Sequence, residues 1–295
     1  MKTLWVFLLL FVVSWPLALH AGLDGRDKPL VISTILPWGE FLKGICGDDC
    51  EVKVLIPPGS TPHTWSPSPN AVKDVQDSSF FVYTDDCLEP WAKEFLAMHR
   101  DTGGADWWFR VSSLVGKKCP PDPHLWLDFT FDQEVVSALV KRLSDIMPQY
   151  AKSFRKNGQG LIMKLKSLHE SYKRSLARCK HKTMVIAGHN AFGYLARAYG
   201  LETLSVMGIS PDAQITPGSL GRVIAFLRET GAGAVFFDHA VTDRIARTIT
   251  LETRAKAYRL SPGVSLTRDY FQKGLGFFEI MEENLNALKL GLQCE

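Results

Sequence analysis

Residues 132–177 carry no strand signal, while on both sides of them short β-branched and aromatic runs alternate with helical patterns. Such alternation builds βα units and mainly parallel sheets. The sequence therefore predicts an α/β fold of two lobes with mainly parallel sheets, joined by one long α-helix. In the first half the predicted strands are 30–36, 51–56, 80–83 and 108–112, with helices near 38–45, 70–76 and 90–99. In the second half they are 183–187, 202–206, 234–237 and 257–260. Helix 190–199 stops at Gly200, and helix 217–229 opens with Thr216 as cap and Pro217 in its first turn. A further helix starts at Thr242, and an amphipathic one closes the chain near 277–290. Across the middle, Leu161, Leu165, Leu168, Tyr172 and Leu176 recur at helical spacing. With Pro148 as its start, a helix 148–178 would be roughly 46 Å long, and Gly158 and Gly160 would each weaken it by about 1 kcal/mol. The expected domains are thus 27–147, a connecting helix 148–178, and 179–295.

The first residues read as an export signal rather than as part of either lobe. Lys2 is followed by sixteen uncharged, mostly apolar residues, 4–19, with the small Ala21 before a polar stretch. A membrane anchor is the competing reading, but a span needs roughly 20 apolar residues. We expect cleavage near Ala21 and an extracytoplasmic, periplasmic protein. Loss of Lys2 leaves 33 basic against 31 acidic residues, which gives no electrostatic reason to expect nucleic acid. Six cysteines in an exported chain favour disulfides, and the expected pairing is Cys46–Cys50, Cys87–Cys119 and Cys179–Cys294. A four-cysteine zinc site is the alternative, although the spacings lack paired CxxC.

Seven histidines follow the signal: His63, His99, His124, His169, His181, His189 and His239. His63 follows strand 51–56 and a Pro-Pro-Gly turn. His124 sits in a tight segment just before a helix, and His189 comes immediately after strand 183–187. The carboxyl edge of an α/β sheet lines its ligand crevice, so two facing lobes could bring His63, His124 and His189 onto one metal ion. His99 and His169 fall in polar helical stretches, His181 stands between Lys180 and Lys182, and His239, after Asp238, is an outside candidate. No GxSxG elbow, P-loop or HExxH motif is present.

Around these histidines the motifs PPGSTPHTWSPSP, DPHLWLD and AGHNAFGYLARAYGL, with VMGISPDAQITPGSL and FFEIMEENLNALKLGL further on, resemble the extracytoplasmic substrate-binding proteins of zinc/manganese ABC transporters, the cluster A-I family. The similarity runs over residues 30–291. It implies two lobes joined by a single helix, with a metal in the cleft between them. His63 and His124 would be ligands from the first lobe and His189 from the second. Zinc-type members carry histidine at the third position, where manganese and iron members often place glutamate, and imidazole suits zinc while carboxylate suits manganese.

Many relatives add a carboxylate from the C-terminal region. Here the corresponding position reads Ser261-Pro262-Gly263, leaving Asp269, Asp238 or water as the fourth ligand. The expected activity is capture of Zn2+ as cargo, less readily Mn2+, and its delivery to the membrane permease of an ABC transporter by a monomer that catalyses no reaction. A zinc hydrolase with three histidines and water is the alternative.

Overall fold

The computed structural model describes residues 28–98, 107–209, 213–238, 243–264, 270 and 272–295. The expected signal, His99, His239 and Asp269 lie outside the described residues. The first sheet comprises β1 (Leu30–Ser33), β2 (Glu51–Val54), β3 (Phe80–Tyr83) and β4 (Trp108–Arg110) in the order β2-β1-β3-β4. The second repeats the scheme with β5 (Thr183–Ile186), β6 (Glu202–Ser205), β7 (Ala234–Phe237) and β8 (Lys256–Arg259), ordered β6-β5-β7-β8. Every strand pairing within the two sheets is parallel. Parallel neighbours need long crossovers, and the helices supply them. In the first half these are α1 (Leu36–Cys46), α2 (Pro69–Gln76) and α3 (Ala92–Met98).

Between the sheets run two helices, α4 (Phe129–Ile146) and α5 (Ala151–Leu176), packed side by side. Asp128 caps α4 by accepting hydrogen bonds from the backbone N–H groups of Thr130 and Phe131. The connecting helix is shorter than expected. Pro148–Tyr150 forms a separate 3-10 turn and the helix stops at Leu176 rather than Arg178, so α5 spans 26 residues, about 39 Å. Its buried stripe runs Ala151, Phe154, Gly158, Leu161, Leu165, Leu168, Tyr172, Leu176, the three-and-four spacing of one helix face.

The second half continues with α6 (Gly193–Ala198), α7 (Pro217–Thr230), α8 (Asp243–Glu252) and α9 (Phe277–Leu292). Thr216 and Ser219 form a capping box at the start of α7, and Gly231 ends it with φ 66°. Helix α6 begins three residues later than the sequence suggests, because the chain first makes a tight turn. There Ala191 N–H donates to the His189 carbonyl (3.1 Å) and Asn190 N–H to that of Gly208 (2.8 Å). Among the described residues no helix is long and apolar enough to cross a membrane.

One apolar core passes through both lobes. Phe41 of α1 meets Phe277 of α9 edge-on at 5.6 Å, Trp38 meets Trp126 at 6.2 Å, and Phe129 meets Tyr172 at 5.0 Å. The indole N–H of Trp126 donates to the Pro262 carbonyl at 2.6 Å. Two disulfides are formed, Cys87–Cys119 and Cys179–Cys294. The expected third is not: Cys46 and Cys50 are free, buried thiols. They flank the Gly47 turn at the end of α1 and face each other as hydrogen-bond partners, an interaction that, with burial, pushes the Cys46 thiol up.

Candidate metal centre

Each of the three histidines sits on a loop leaving the carboxyl end of a strand. His63 lies beyond β2 in a turn held by Thr61, whose carbonyl accepts from the N–H groups of Thr64 (3.2 Å) and Trp65 (3.0 Å). His124 follows β4 by way of a short 3-10 turn and a proline-rich segment, and it directly precedes another 3-10 turn, Leu125–Leu127. The disulfide Cys87–Cys119 ties this segment back to the chain after β3. His189 comes from the loop between β5 and α6.

The structure brings the three rings together. One nitrogen from each lies within 4.8 Å of the others, and the ring centroids are 5.7, 5.8 and 5.4 Å apart. A tetrahedral zinc with bonds of 2.0–2.1 Å needs its nitrogens about 3.4 Å apart, a gap that small ring movements close. His124 is the fixed point, buried at 1% exposure against the edge of Trp126. Its Nδ1–H donates to Asp122 Oδ1 at 2.8 Å, and its backbone N–H donates to the same oxygen at 3.1 Å. That leaves Nε2 as the open, lone-pair nitrogen. His63 and His189 are half-buried, which leaves their rings more room to move than that of His124. Burial, chiefly, and the neighbouring rings of His124 and His63 push the His189 ring down to about 3, so it is neutral and able to ligate at ordinary pH.

The remaining candidates fall elsewhere. Among the described residues no carboxylate joins the three-histidine group; Asp238 is described, half-buried after β7, and stands outside it. His169 Nδ1 lies 3.2 Å from the Tyr199 hydroxyl, and burial together with Lys180 pushes His181 down. A second cluster, Asp85, Cys87 and Cys119, went unnoticed in the sequence, but its two sulfurs are joined to each other. Asp122 has no signal of its own in the sequence beyond the Asp-Pro-His run, which places a carboxylate two residues from a candidate ligand.

A family model described as zinc-uptake complex component A, periplasmic, matches residues 31–291. The chain belongs to this family. Among zinc-uptake component A relatives, the zinc-binding protein AdcA of Streptococcus pyogenes is 30% identical over 302 residues, covering 94% of this chain and 58% of its own length. The chain thus spans little more than half of that relative. The high-affinity zinc uptake system protein ZnuA of Bacillus subtilis is 30% identical over 282 residues, covering 89% of this chain and 87% of that protein. Among solved structures, the Zn(II)-bound ZnuA-like domain of Streptococcus pneumoniae AdcA superposes with a TM-score of 0.78 at 30% identity, covering 90% of this chain and 99% of that domain. The likeness bears out the two-lobed α/β fold and the family resemblance.

Proposed function

We propose that this protein captures one divalent zinc ion outside the cytoplasm and delivers it to the membrane permease of an ABC transporter. The observation that carries the reading is the convergence of three imidazoles, drawn from three separate loops, with ligand nitrogens within 4.8 Å of one another. Neutral imidazole nitrogens suit zinc, whereas manganese favours oxygen ligands. The zinc-binding descriptions of AdcA and ZnuA agree with that preference. His63, His124 and His189 are the proposed ligands, with Asp269, a repositioned Asp238 or water in the fourth position. The proposed lobes are 27–147 and 179–295, joined through 148–178, in an exported monomer whose leader is cut near Ala21. Zinc is cargo here, and no reaction is catalysed.

The deciding experiment is native mass spectrometry of chelator-stripped protein titrated with Zn2+ and with Mn2+. One zinc per chain is expected, with manganese clearly weaker and zinc binding strongly reduced by His124→Ala. A chain that took up no zinc, or preferred manganese, would overturn the reading. An esterase and peptidase screen of the loaded protein separates the hydrolase alternative, for which turnover lost in His189→Ala would be decisive.

A further inference from the structure

The Asp122 carboxylate faces two ways. Oδ1 takes both hydrogen bonds from His124. Oδ2 points toward α6 of the other lobe, where Arg197 Nη2 stands 4.0 Å away. Asp122 is 9% exposed, whereas the Arg197 side chain is 64% exposed and lies over the Tyr194 ring at 4.6 Å. Gly193 makes this approach possible. A Cβ there would lie 2.7 Å from Asp122 Oδ2 and 3.2 Å from Arg197 Nη1. The pair opens into a cavity of about 600 Å3 also lined by Asn190, Tyr194 and Thr203.

We infer that Asp122 is the positioning residue of the metal centre and that Arg197, reaching it from the opposite lobe, restrains it. The inference rests on the zinc-binding reading above. An anionic oxygen on Nδ1 fixes the ring of a ligating histidine and raises the electron-donating power of its other nitrogen, and loss of such a partner typically costs about ten- to a hundredfold in metal affinity. A guanidinium beside the same carboxylate draws off part of its negative charge. Arg197 therefore moderates the hold of His124 on the ion, which suits a carrier that must give its cargo up. Because the pair joins the two lobes, any relative shift of α6 is felt at His124 without contact with the metal.

The test measures zinc affinity by competition with a chromogenic chelator and, in parallel, the visible spectrum of the Co2+-loaded protein. Asp122→Asn, nearly isosteric, is expected to lose about ten- to a hundredfold in affinity and to shift the Co2+ bands, with apo-protein thermal stability little changed. Arg197→Gln is expected to bind about two- to fivefold tighter, the scale of an exposed charge pair, whereas Arg197→Lys retains wild-type affinity. In the Asp122→Asn background the Arg197→Gln effect should vanish. Wild-type affinity in Asp122→Asn, weaker binding in Arg197→Gln, or an arginine effect that survives without the carboxylate would each overturn the inference while leaving the zinc-binding reading intact. Failure of the wild-type protein to bind zinc would overturn both.

Discussion

The carboxyl of Glu89 is fully buried and surrounded by donors: the Thr34 hydroxyl, the Thr84 N–H (2.8 Å) and hydroxyl (3.1 Å), and the Asp85 N–H (3.1 Å). The Thr84 hydroxyl in turn accepts from the Trp38 indole at 3.0 Å. Burial nevertheless wins, with help from the neighbouring Asp85 charge, and pushes Glu89 up to about 7 from an ordinary 4.5. In the window between those values the folded state keeps a proton that the unfolded chain has released. Glu89 therefore favours folding fully below pH 4.5, and that contribution is lost as pH rises to 7, by about 3 kcal/mol. Urea denaturation at intervals from pH 4.5 to 7.5 should show the difference between wild type and Glu89→Gln shrink or change sign across this window. A constant difference would contradict the assignment. No local pattern in the sequence marks this residue, because its burial depends on the end of β1, where Thr34 lies 55 residues away, meeting the end of β3 in the folded lobe.

At the scale of elements, α5 shows what local spacing can and cannot say. Its apolar stripe was legible because residues three and four apart share a helix face whatever lies opposite. Its two glycines, equal in sequence, are unequal in structure. At Gly158 α4 packs tightly: a Cβ there would sit 2.3 Å from Val140 Cγ2, and a branched side chain has little room to turn away. Gly160 is exposed, with nothing within 4 Å of its would-be Cβ. Gly158→Ala should destabilise by about 1–3 kcal/mol through overpacking, while Gly160→Ala should stabilise by about 0.5–1 kcal/mol through helix propensity and a less disordered unfolded chain. Chemical denaturation midpoints check both, and the same sign for the two would refute the distinction. The ends of elements were less legible. The strand expected over 30–36 stops at Ser33, because α1 has already begun at Leu36 with Pro37 in its first turn. The helix expected from 148 gives up its first three residues to a 3-10 turn.

The whole molecule is held by a core that does not divide with the sheets. Phe277 of α9 packs on Phe41 of α1 and on Phe129 of α4, Trp126 bonds across to Pro262, and α5 runs between the two sheets in the chain, touching α1, α4 and α9. Opening such a joint would expose several aromatic side chains, each worth about 1.5–3 kcal/mol when buried. Zinc loading is therefore expected to leave the radius of gyration unchanged in small-angle X-ray scattering, with adjustment confined to the rings of His63 and His189. A compaction like that of hinge-closing binding proteins would show that the shared core opens.

The chain alone specifies the alternation that makes two parallel sheets, the capped start of α7 at Thr216 and Pro217, the buried face of α5, and the three loops on which His63, His124 and His189 stand. Those features depend on neighbours within a few residues, and such interactions write themselves into local spacing. The folded molecule alone settles how the three rings converge, that Asp122 holds the Nδ1 side of His124 while Arg197 Nη2 stands 4.0 Å from the same carboxylate, that Cys46 and Cys50 remain thiols, and that Gly158 and Gly160 differ. These outcomes join segments far apart in the chain. Whether such segments meet is set by how loops close and cores pack, and no local run of residues records it.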